Sequence, residues 1–303
     1  MVPRIAYVDG QFVQHSQASI RVEDRGLQFG DAVYEVWAVR DGHLFDCQGH
    51  LARLGRSLAA LSITPPLKDS SLMVIVRELI SRNKLTNGLV YLQISRGVAR
   101  RDHPFPAHAK PSIILTARGM NKVQADQRAK LGIRVMTCPD NRWGQVDIKT
   151  VNLLPNVLAK QAALEAGFHD AWFVDADGMI TEGTAQNAWI VDQAGKLRTR
   201  PATHAILRGI TRDTIIETAH NLGYPFEEQA FSVEEAQNAQ EAFITSATSF
   251  VTPVIAINTH LIGHGKPGQI SSSLRNEYLS QQTSVKSNSK HQSRLNFVTS
   301  PAY

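Results

Sequence analysis

Judged by its type and neighbours, the side chain best suited to chemical reactivity is that of Lys149. This residue lies in residues 146–154, between Ile148 and an apolar run. In a strand, Asp147, Lys149 and Val151 would share one face. Lysine is rarely placed among apolar neighbours unless it is paired or reactive, and a partly desolvated lysine is a usable amine nucleophile. We therefore hypothesise that Lys149 carries a carbonyl cofactor as a Schiff base. The alternative is an edge-strand lysine that faces water, which is the usual position of a lysine.

If that cofactor is pyridoxal phosphate, the protein must also supply a partner for the pyridine nitrogen, a phosphate site and a grip on the substrate carboxylate. The candidate nitrogen partner is Glu182, which lies in the sequence Thr181-Glu182-Gly183. A carboxylate at the ring nitrogen keeps that nitrogen protonated, so the ring withdraws electrons from the substrate. The alternative is an ordinary turn glutamate close to Asp177 and Gly178.

The candidate phosphate site begins at Gly209, which precedes a strongly helical segment. The free N–H groups of Ile210 and Thr211 and the positive end of the helix dipole would suit a dianion. Arg53 would add a charge-assisted bond to the same phosphate. A hydroxyl-rich turn after a strand would form a second cradle from Ser246, Ala247 and Thr248. The alternatives are an ordinary capped helix and a solvated arginine.

The candidate grip on the carboxylate is a loop dense in Arg, His and Pro at residues 96–108. In an extended loop Arg101 and His103 point the same way, and a guanidinium beside an imidazole matches a carboxylate. Tyr34 would offer its phenol to the same anion. The alternatives are a solvated basic loop and an ordinary strand aromatic.

The elements that must position these residues are hairpin-rich strands mixed with helices, which indicates an α+β chain in two lobes. Residues 23–31 are predicted to form a glycine-punctuated loop. Residues 119–128 are polar and lack periodicity, so they are the predicted linker between a small domain, 1–118, and a larger cofactor-binding domain, 129–282. The tail, 283–303, is rich in Ser, Gln and Asn, and we expect it to be disordered.

Composition and charge exclude several classes of function. The chain has 303 residues, 43% hydrophobic and 19% charged, which suits a globular protein of two domains. Its net charge is +5, without a concentrated basic face for nucleic acid. The 11 histidines and two cysteines lack metal-ligand spacing, so no metal is expected, and so few cysteines suit a reducing cytoplasm. No run is long enough to span a membrane.

The order of these motifs resembles that of the fold-type IV pyridoxal-phosphate transaminases, over about residues 5–270. Within that family the Arg101-x-His103 pair resembles the D-amino acid aminotransferase branch. The other motifs that carry the resemblance are Glu23-Asp24-Arg25-Gly26, Gln28-Phe29-Gly30-Asp31, Ser95-Arg96-Gly97, Asp147-Ile148-Lys149, Asn152-Leu153-Leu154, Thr181-Glu182-Gly183, Gly209-Ile210-Thr211-Arg212-Asp213 and Thr252-Pro253-Val254.

The resemblance implies a small N-terminal α/β lobe and a larger C-terminal β-rich lobe with helices. It implies that Lys149 forms the Schiff base and shuttles the proton, that Glu182 meets the pyridine nitrogen, and that Arg53, Ile210 and Thr211 hold the phosphate. Tyr34, Arg101 and His103 would trap the carboxylate, with the Arg101/His103 loop donated across a homodimer. The family usually has threonine at the position of Ala247, where Ser246, Thr248 and backbone N–H groups would substitute, and often a carboxylate at the position of Phe250.

The implied reaction is a ping-pong transamination between D-amino acids, such as D-alanine and D-glutamate, and 2-oxo acids, such as 2-oxoglutarate and pyruvate. Two alternatives share the fold, a branched-chain L-amino acid aminotransferase and an aminodeoxychorismate lyase. A non-catalytic, dimeric scaffold that binds the cofactor is a more remote alternative. L-leucine as the preferred substrate would indicate the first alternative, and elimination of pyruvate without a second oxo acid would indicate the second.

Overall fold

Two β-sheets, one in each half of the chain, organise the protein. The computed structural model describes the backbone of residues 4–295 and the side chains of residues 4–282. A six-stranded sheet belongs to the first half and a nine-stranded sheet to the second, with helices packed against both. The predicted α+β organisation in two lobes is confirmed.

The first lobe is an antiparallel sheet with the strand order β2-β1-β6-β5-β3-β4. Its elements are β1 (Ile5–Val8), β2 (Gln11–Gln14), α1 (Arg25–Phe29), β3 (Ala32–Arg40), β4 (His43–Leu44), α2 (Cys47–Ala60), α3 (Asp69–Arg82), β5 (Gly88–Ser95) and β6 (Ser112–Gly119). Helices α2 and α3 turn apolar side chains spaced three or four residues apart toward the sheet, where they pack around Trp37, Val90 and Leu115. The core of this lobe is therefore a helical layer on one face of the sheet.

The second lobe has a mixed sheet with the order β12-β11-β10-β13-β14-β7-β8-β9, and a short strand, β15, pairs with β14. Its strands are β7 (Ile133–Pro139), β8 (Asp170–Val174), β9 (Ile180–Gly183), β10 (Asn187–Val191), β11 (Leu197–Thr199), β12 (Phe226–Glu228), β13 (Glu241–Ser246), β14 (Phe250–Ile257) and β15 (His260–Leu261). Its helices are α5 (Leu154–Glu165), α6 (Ile210–Asn221), α7 (Val233–Gln237) and α8 (Gln269–Leu295). Strands β8, β9 and β10 are buried throughout, or nearly so, because both faces of this sheet are covered.

The segment between the two sheets is helical. Helix α4 (Lys122–Leu131) follows β6 and covers most of the predicted linker. The side chain of Asn121 caps it by accepting from the N–H of Gln124, and Gly132 ends it. Only Ala129 is buried, so the helix has no apolar stripe that periodicity would reveal.

One further segment differs from the sequence predictions. Residues 25–29 form the short helix α1, capped by Asp24 and ended by Gly30 in the left-handed conformation, where a loop was predicted. Helix α8 runs to Leu295 and so enters the tail, 283–303, for which disorder was predicted. The side chains of that tail and the backbone of 296–303 lie outside the described residues, so the prediction remains untested there. Among the described residues, no helix is both long and apolar enough to cross a bilayer.

The two lobes meet through an aromatic cluster and a charged bridge. Phe45, which follows β4, packs against Phe250 of β14 and Tyr278 of α8. Asp126 of α4 accepts from Arg40 of β3 and from Arg275 of α8. These contacts join β3, α4 and α8 into one seam between the lobes.

Candidate active site

A cavity of about 180 Å³ lies between the lobes and gathers most of the predicted site residues. The first lobe contributes residues of β3 and α2, and the second contributes β9, the start of α6 and the turn after β13. The predicted residues that line this cavity are Tyr34, Arg53, Lys149, Glu182, Ile210, Thr211, Ser246, Ala247 and Thr248. Arg101 and His103 do not line it.

Lys149 is held by the main chain of the first lobe. Its carbonyl accepts from the N–H of Tyr34 at 3.0 Å, and Val151 donates to the carbonyl of Ala32 at 3.2 Å. Thr150 pairs with Val33 as an isolated bridge, so the segment follows β3 without forming a strand of its own. The lysine Nζ lies 4.2 Å from the centre of the Tyr34 ring. Lys149 is thus partly buried in the cavity, unlike an edge-strand lysine that faces water.

Glu182 lies on β9 and is 5% exposed. One carboxylate oxygen accepts from Arg142 Nη1 at 2.5 Å and from the N–H of Leu207 at 3.1 Å, and the other accepts from Asn187 Nδ2 at 3.0 Å. Burial raises the pKa of Glu182, whereas the guanidinium of Arg142, the Leu207 N–H and the charge of Lys149 oppose that rise. The carboxylate is therefore fixed in direction by three donors on the cavity wall.

Arg142 contacts Glu182 although it was not among the predicted site residues. Arg142 lies in the loop after β7, and its side chain, 5% exposed, is placed between Glu182 and Asp140. Its Nη2 donates to Asp140 Oδ2 at 2.7 Å. Its other bonds go to the hydroxyl of Thr181 and the carbonyl of Ala205. Forty residues separate Arg142 from Glu182, and no local pattern connects them.

The predicted phosphate end of the cavity is the N-terminus of α6. The first N–H that bonds within this helix is that of Asp213, which donates to the carbonyl of Gly209 at 3.0 Å. The N–H groups of Ile210 and Thr211 precede it and have no intrahelical acceptor. Gly209 packs closely here, because a Cβ at this position would lie 2.1 Å from Asn187 Oδ1. The start of the helix therefore turns N–H groups without an intrahelical acceptor toward the cavity, where they could bind an anion.

Arg53 supports that helix start through a buried ion pair. Its Nε and Nη2 donate to the two carboxylate oxygens of Glu35 at 2.7 and 2.8 Å, and its Nη1 donates to the carbonyl of Arg208 at 3.1 Å. Burial raises the pKa of Glu35, but Arg53 and His50 outweigh it and lower that pKa to about 2. Most N–H groups of Arg53 are thus hydrogen-bonded to protein groups, and one N–H of Nη1 remains available for an anion.

The alternation of residues along β3 does predict that Glu35 is buried. Glu35 alternates with Val33 and Trp37 on the face of β3 that packs into the core, and all three are 0% exposed. A carboxylate on a core face requires a buried cation or donor. His50 and Arg53, three residues apart on α2, meet that requirement, with His50 Nδ1 2.7 Å from Glu35.

The turn after β13 provides the second wall of the phosphate end. The Ser246 hydroxyl accepts from the N–H of Ser249 at 3.1 Å, which closes the turn. Ala247 and Thr248 face the cavity from this turn. The Ser246 oxygen is thus used as an acceptor within the protein, while its O–H remains available as a donor.

Arg101 and His103 lie on the exposed loop that follows β5. The centre of the Phe29 ring is 5.2 Å from the Arg101 guanidinium and 5.8 Å from the centre of the His103 ring. Within a single chain they are therefore together, but outside the Lys149 cavity. Within residues 4–282, where side chains are described, no group of three or more His, Cys, Asp or Glu side chains could hold a metal ion.

Comparison with known protein families shows where this arrangement of residues belongs. The model of the family described as amino-transferase class IV matches residues 32–257. The chain belongs to the class IV aminotransferases. The match covers β3, Lys149, Glu182 and the start of α6, so this aminotransferase carries the cavity within the family's own segment.

Individual relatives extend the similarity over nearly the whole chain. The D-alanine aminotransferase of Bacillus licheniformis is 37% identical over 277 residues, which cover 90% of this chain and 96% of the relative. That of Staphylococcus haemolyticus is 35% identical over 282 residues, covering 92% and 99%. The branched-chain aminotransferase of Escherichia coli superposes with a TM-score of 0.84 at 26% identity, covering 92% of this chain and 94% of that one. The fold is that of the fold-type IV enzymes.

The residues present fit the cofactor of this family, pyridoxal phosphate. Another branched-chain aminotransferase, with a TM-score of 0.84 at 24% identity and coverage of 91% and 93%, was solved with pyridoxamine 5'-phosphate. The cavity of this aminotransferase offers what such a group requires, namely an amine, a buried carboxylate and helix N–H groups without acceptors. Lys149, Glu182 and the Gly209–Thr211 turn would hold its aldehyde, ring nitrogen and phosphate.

Proposed function

We propose that this protein transfers amino groups between D-amino acids, such as D-alanine and D-glutamate, and 2-oxo acids, such as 2-oxoglutarate and pyruvate, by a ping-pong mechanism. The observation that carries the proposal is the cavity that combines Lys149, Glu182 and the free N–H groups of α6. Strong similarity to D-alanine aminotransferases over about nine tenths of the chain supports the choice of substrate class. Pyridoxal phosphate, when bound, supplies an aldehyde for the amino group and a ring that accepts electrons.

Each residue of the cavity has a separate task. Lys149 Nζ takes the proton from the substrate Cα and would deliver it to the aldehyde carbon of the cofactor within the same half-reaction, and the second half-reaction runs this transfer in reverse. Tyr34 lies beside that amine and restricts the direction in which it moves. Glu182, held by Arg142, keeps a proton on the cofactor's ring nitrogen. Ile210 and Thr211 bind phosphate through their N–H groups, and Arg53 fixes the turn from behind.

We propose that the carboxylate site is completed by a second copy of the chain. Arg53 and Arg142, the two arginines in the cavity wall, are already paired with Glu35 and Glu182. Arg101 and His103 are exposed and lie outside the cavity of their own chain. A homodimer in which each chain lends this loop to the other would supply the missing cation.

An exposed apolar strip beside the cavity supports the dimer. Leu154, Val157 and Leu158 follow the Lys149 segment at the start of α5 and are 67%, 58% and 59% exposed. Their spacing of three and four residues places them on one face of the helix. Contiguous exposed apolar side chains of this kind mark protein contacts, and a second copy would bury them.

Substrate selectivity tests the assignment of the carboxylate trap. We expect the wild type to turn over D-alanine with 2-oxoglutarate much faster than L-leucine. Replacing Arg101 and His103 by alanine should reduce turnover of D-alanine by about 100-fold, since an unpaired carboxylate loses its charge-assisted bonds. Unchanged turnover of D-alanine in that variant would contradict the trap. A preference of the wild type for L-leucine would contradict the proposed function itself.

Subunit complementation tests the shared site. A Lys149→Ala chain and an Arg101→Ala/His103→Ala chain should each have little activity alone. If the loop serves the partner's cavity, the mixed dimer contains one intact site, and random mixing should restore about a quarter of wild-type activity. If the loop serves its own chain, every site in the mixture keeps one defect and no activity returns. The second result would contradict the shared site.

We also propose a cytoplasmic location for the protein. Both of its cysteines, Cys47 and Cys138, are free thiols, and burial raises the pKa of each. Free, poorly ionised thiols are typical of proteins in a reducing compartment. The substrates and the cofactor are small metabolites, and the proposal includes neither a nucleic acid nor a membrane partner.

A further inference from the structure

We propose that Arg25 is a positioning residue that sets the shape of the loop carrying Arg101 and His103, and thereby the affinity for the substrate carboxylate. The inference rests on the proposed function. Arg25 does not line the cavity of its own chain, and its guanidinium binds the loop instead. Its effect on catalysis would therefore pass through the loop.

The guanidinium of Arg25 binds the backbone of the loop at three consecutive residues. Nη1 donates to the carbonyl of Asp102 at 2.6 Å and to that of Pro104 at 3.5 Å, and Nη2 donates to that of His103 at 3.3 Å. The side chain of Arg25 is 4% exposed, so these bonds are largely shielded from water. A planar fork with five N–H groups can join several carbonyls in this way, whereas a lysine ammonium cannot reproduce its geometry.

The same short helix supports the side chains of the loop. Phe29, one turn after Arg25 in α1, presents its ring to Arg25 at 4.7 Å and to Arg101 at 5.2 Å. The His103 ring lies 5.8 Å from it, centre to centre. Arg25 thus holds the loop's main chain, while Phe29 carries the two side chains that we assign to the carboxylate.

Asp31 aims the guanidinium at the loop. It accepts from Arg25 Nε at 2.8 Å and from Arg96 Nε at 2.7 Å. Arg96 in turn lies 3.6 Å from the centre of the Phe105 ring, farther along the loop. Burial raises the pKa of Asp31, but hydrogen bonds and charges from Arg96 and Arg25 bring it below its ordinary value. Asp31 is therefore an ionised anchor between two arginines that each grip the loop.

The helix that bears Arg25 is itself fixed to the sheet. Asp24 caps it by accepting from the N–H of Gly26 at 2.8 Å and also accepts from the hydroxyl of Ser95 at 2.7 Å. Ser95 ends β5, from which the loop departs. The loop and its clamp therefore share one rigid base, and displacement of the loop requires loss of the Arg25 bonds.

Arg25→Lys tests the clamp, because it preserves a charge beside Asp31 and removes the fork. We expect the KM for D-alanine to rise by about tenfold or more, with a smaller change in kcat, because the loop loses its preset shape. Pyridoxal phosphate titration should give the wild-type dissociation constant, since Arg25 lies outside the cavity. Arg118→Met, which removes an exposed arginine of the same lobe, serves as the matched control and should keep wild-type kinetics.

A triple mutant separates positioning from a general loss of structure. In an Arg101→Ala/His103→Ala background the loop no longer carries the side chains that would bind the carboxylate. Adding Arg25→Lys to that background should therefore change kcat/KM for D-alanine by less than about twofold, which is the error within which independent effects add. Additive loss in that background, weaker binding of pyridoxal phosphate, or an unchanged KM in Arg25→Lys alone would each overturn the inference while the wild type remained active. If the wild type fails to turn over D-alanine, the proposed function fails and this inference falls with it.

Discussion

At the scale of single residues, the buried charges of the candidate site form ion pairs with one another in the absence of a ligand. Arg142 faces Glu182, and Arg53 faces Glu35, so each buried carboxylate has a fixed direction and a fixed partner. Such pairs stabilise a fold only modestly, since desolvation offsets most of their attraction. For the proposed cofactor site their value would be preorganisation, because the groups assigned to the cofactor would need no rearrangement.

The pairing of Arg142 with Glu182 predicts a change in pH dependence. In Arg142→Met the carboxylate loses its nearest positive charge, so the pKa of Glu182 rises further above its ordinary value. Because the role proposed for Glu182 requires its ionised form, the acid limb of the kcat/KM profile should move about 1–3 pH units upward. Glu182→Gln is the companion control, since that limb should be absent with or without Arg142. Superimposable profiles for wild type and Arg142→Met would contradict this role.

At the scale of elements, the site depends on where strands and helices end. The start of α6 presents N–H groups without an intrahelical acceptor, the turn after β13 is closed by the Ser246 hydroxyl, and the Lys149 segment is bonded to the beginning of β3. The sequence predicted the start of α6, because Gly209 before a helical segment is a local signal. It did not predict α1 or α4, since a five-residue helix and a helix that buries only Ala129 leave no periodic pattern.

The same difference explains which site residues could be predicted. Lys149 and Glu182 stand out because each lies in an apolar or glycine-rich context along the chain. Arg142 does not, because its partner is 40 residues away and only the fold brings the two together. Arg25 belongs to a motif that the sequence displays, but its contact with the loop at residues 102–104 depends on a long-range approach.

The close packing of Gly209 predicts a steric effect on cofactor binding. Its φ of −71° suits alanine, so Gly209→Ala costs little in backbone conformation. The new Cβ would however lie 2.1 Å from Asn187 Oδ1, and Asn187 also donates to Glu182 at 3.0 Å. We expect the dissociation constant of pyridoxal phosphate, measured by titration, to rise about tenfold, equal to about 1.4 kcal/mol.

Gly55 offers a matched control for that substitution. It lies on the exposed side of α2, and a Cβ there would have no atom within 4 Å. Gly55→Ala should leave cofactor binding unchanged and stabilise the protein by about 0.5–1 kcal/mol, because alanine favours the helix. Equal cofactor affinity in both alanine variants would show that the Gly209 contact is not a constraint.

At the scale of the whole molecule, α4 and α8 hold the lobes in register. The Asp126 carboxylate accepts hydrogen bonds from Arg40 of the first lobe and from Arg275 of the second. Both guanidinium groups also lie within 6 Å of the centre of the Phe250 ring. Phe250 also packs on Phe45 and Tyr278. The Phe250 ring therefore fills the contact between the lobes, while Asp126 supplies the negative charge from α4.

This bridge predicts a pH-dependent contribution to stability. Burial raises the pKa of Asp126, but Arg40 and Arg275 lower it below its ordinary value. The stabilisation is therefore present at neutral pH and is lost as the pH falls below about 4, the pKa of aspartate in an unfolded chain. In urea unfolding at pH 7 we expect Asp126→Asn to lose about 1–2 kcal/mol, and the difference from wild type should shrink at pH 3.

Glu78 provides the comparison for Asp126. It pairs with Arg82 on the exposed side of α3, where both side chains are nearly half exposed. Glu78→Gln should change the free energy of unfolding by less than about 0.5 kcal/mol at either pH, because exposed ion pairs contribute little. A Glu78→Gln effect as large as that of Asp126→Asn would remove the case for a specific bridge between the lobes.

The hydrogen bonds between the Lys149 segment and β3 bear on how chimeras of this enzyme would behave. Lys149 follows α4 in the chain, yet its carbonyl is bonded to Tyr34 and its neighbour Val151 to Ala32. A recombination point in α4 would therefore join the reactive amine of one parent to the supporting strand of another. Crossovers placed after Leu154 keep both in one parental block. Lobe exchange between relatives should consequently preserve activity more often at the second boundary than at the first.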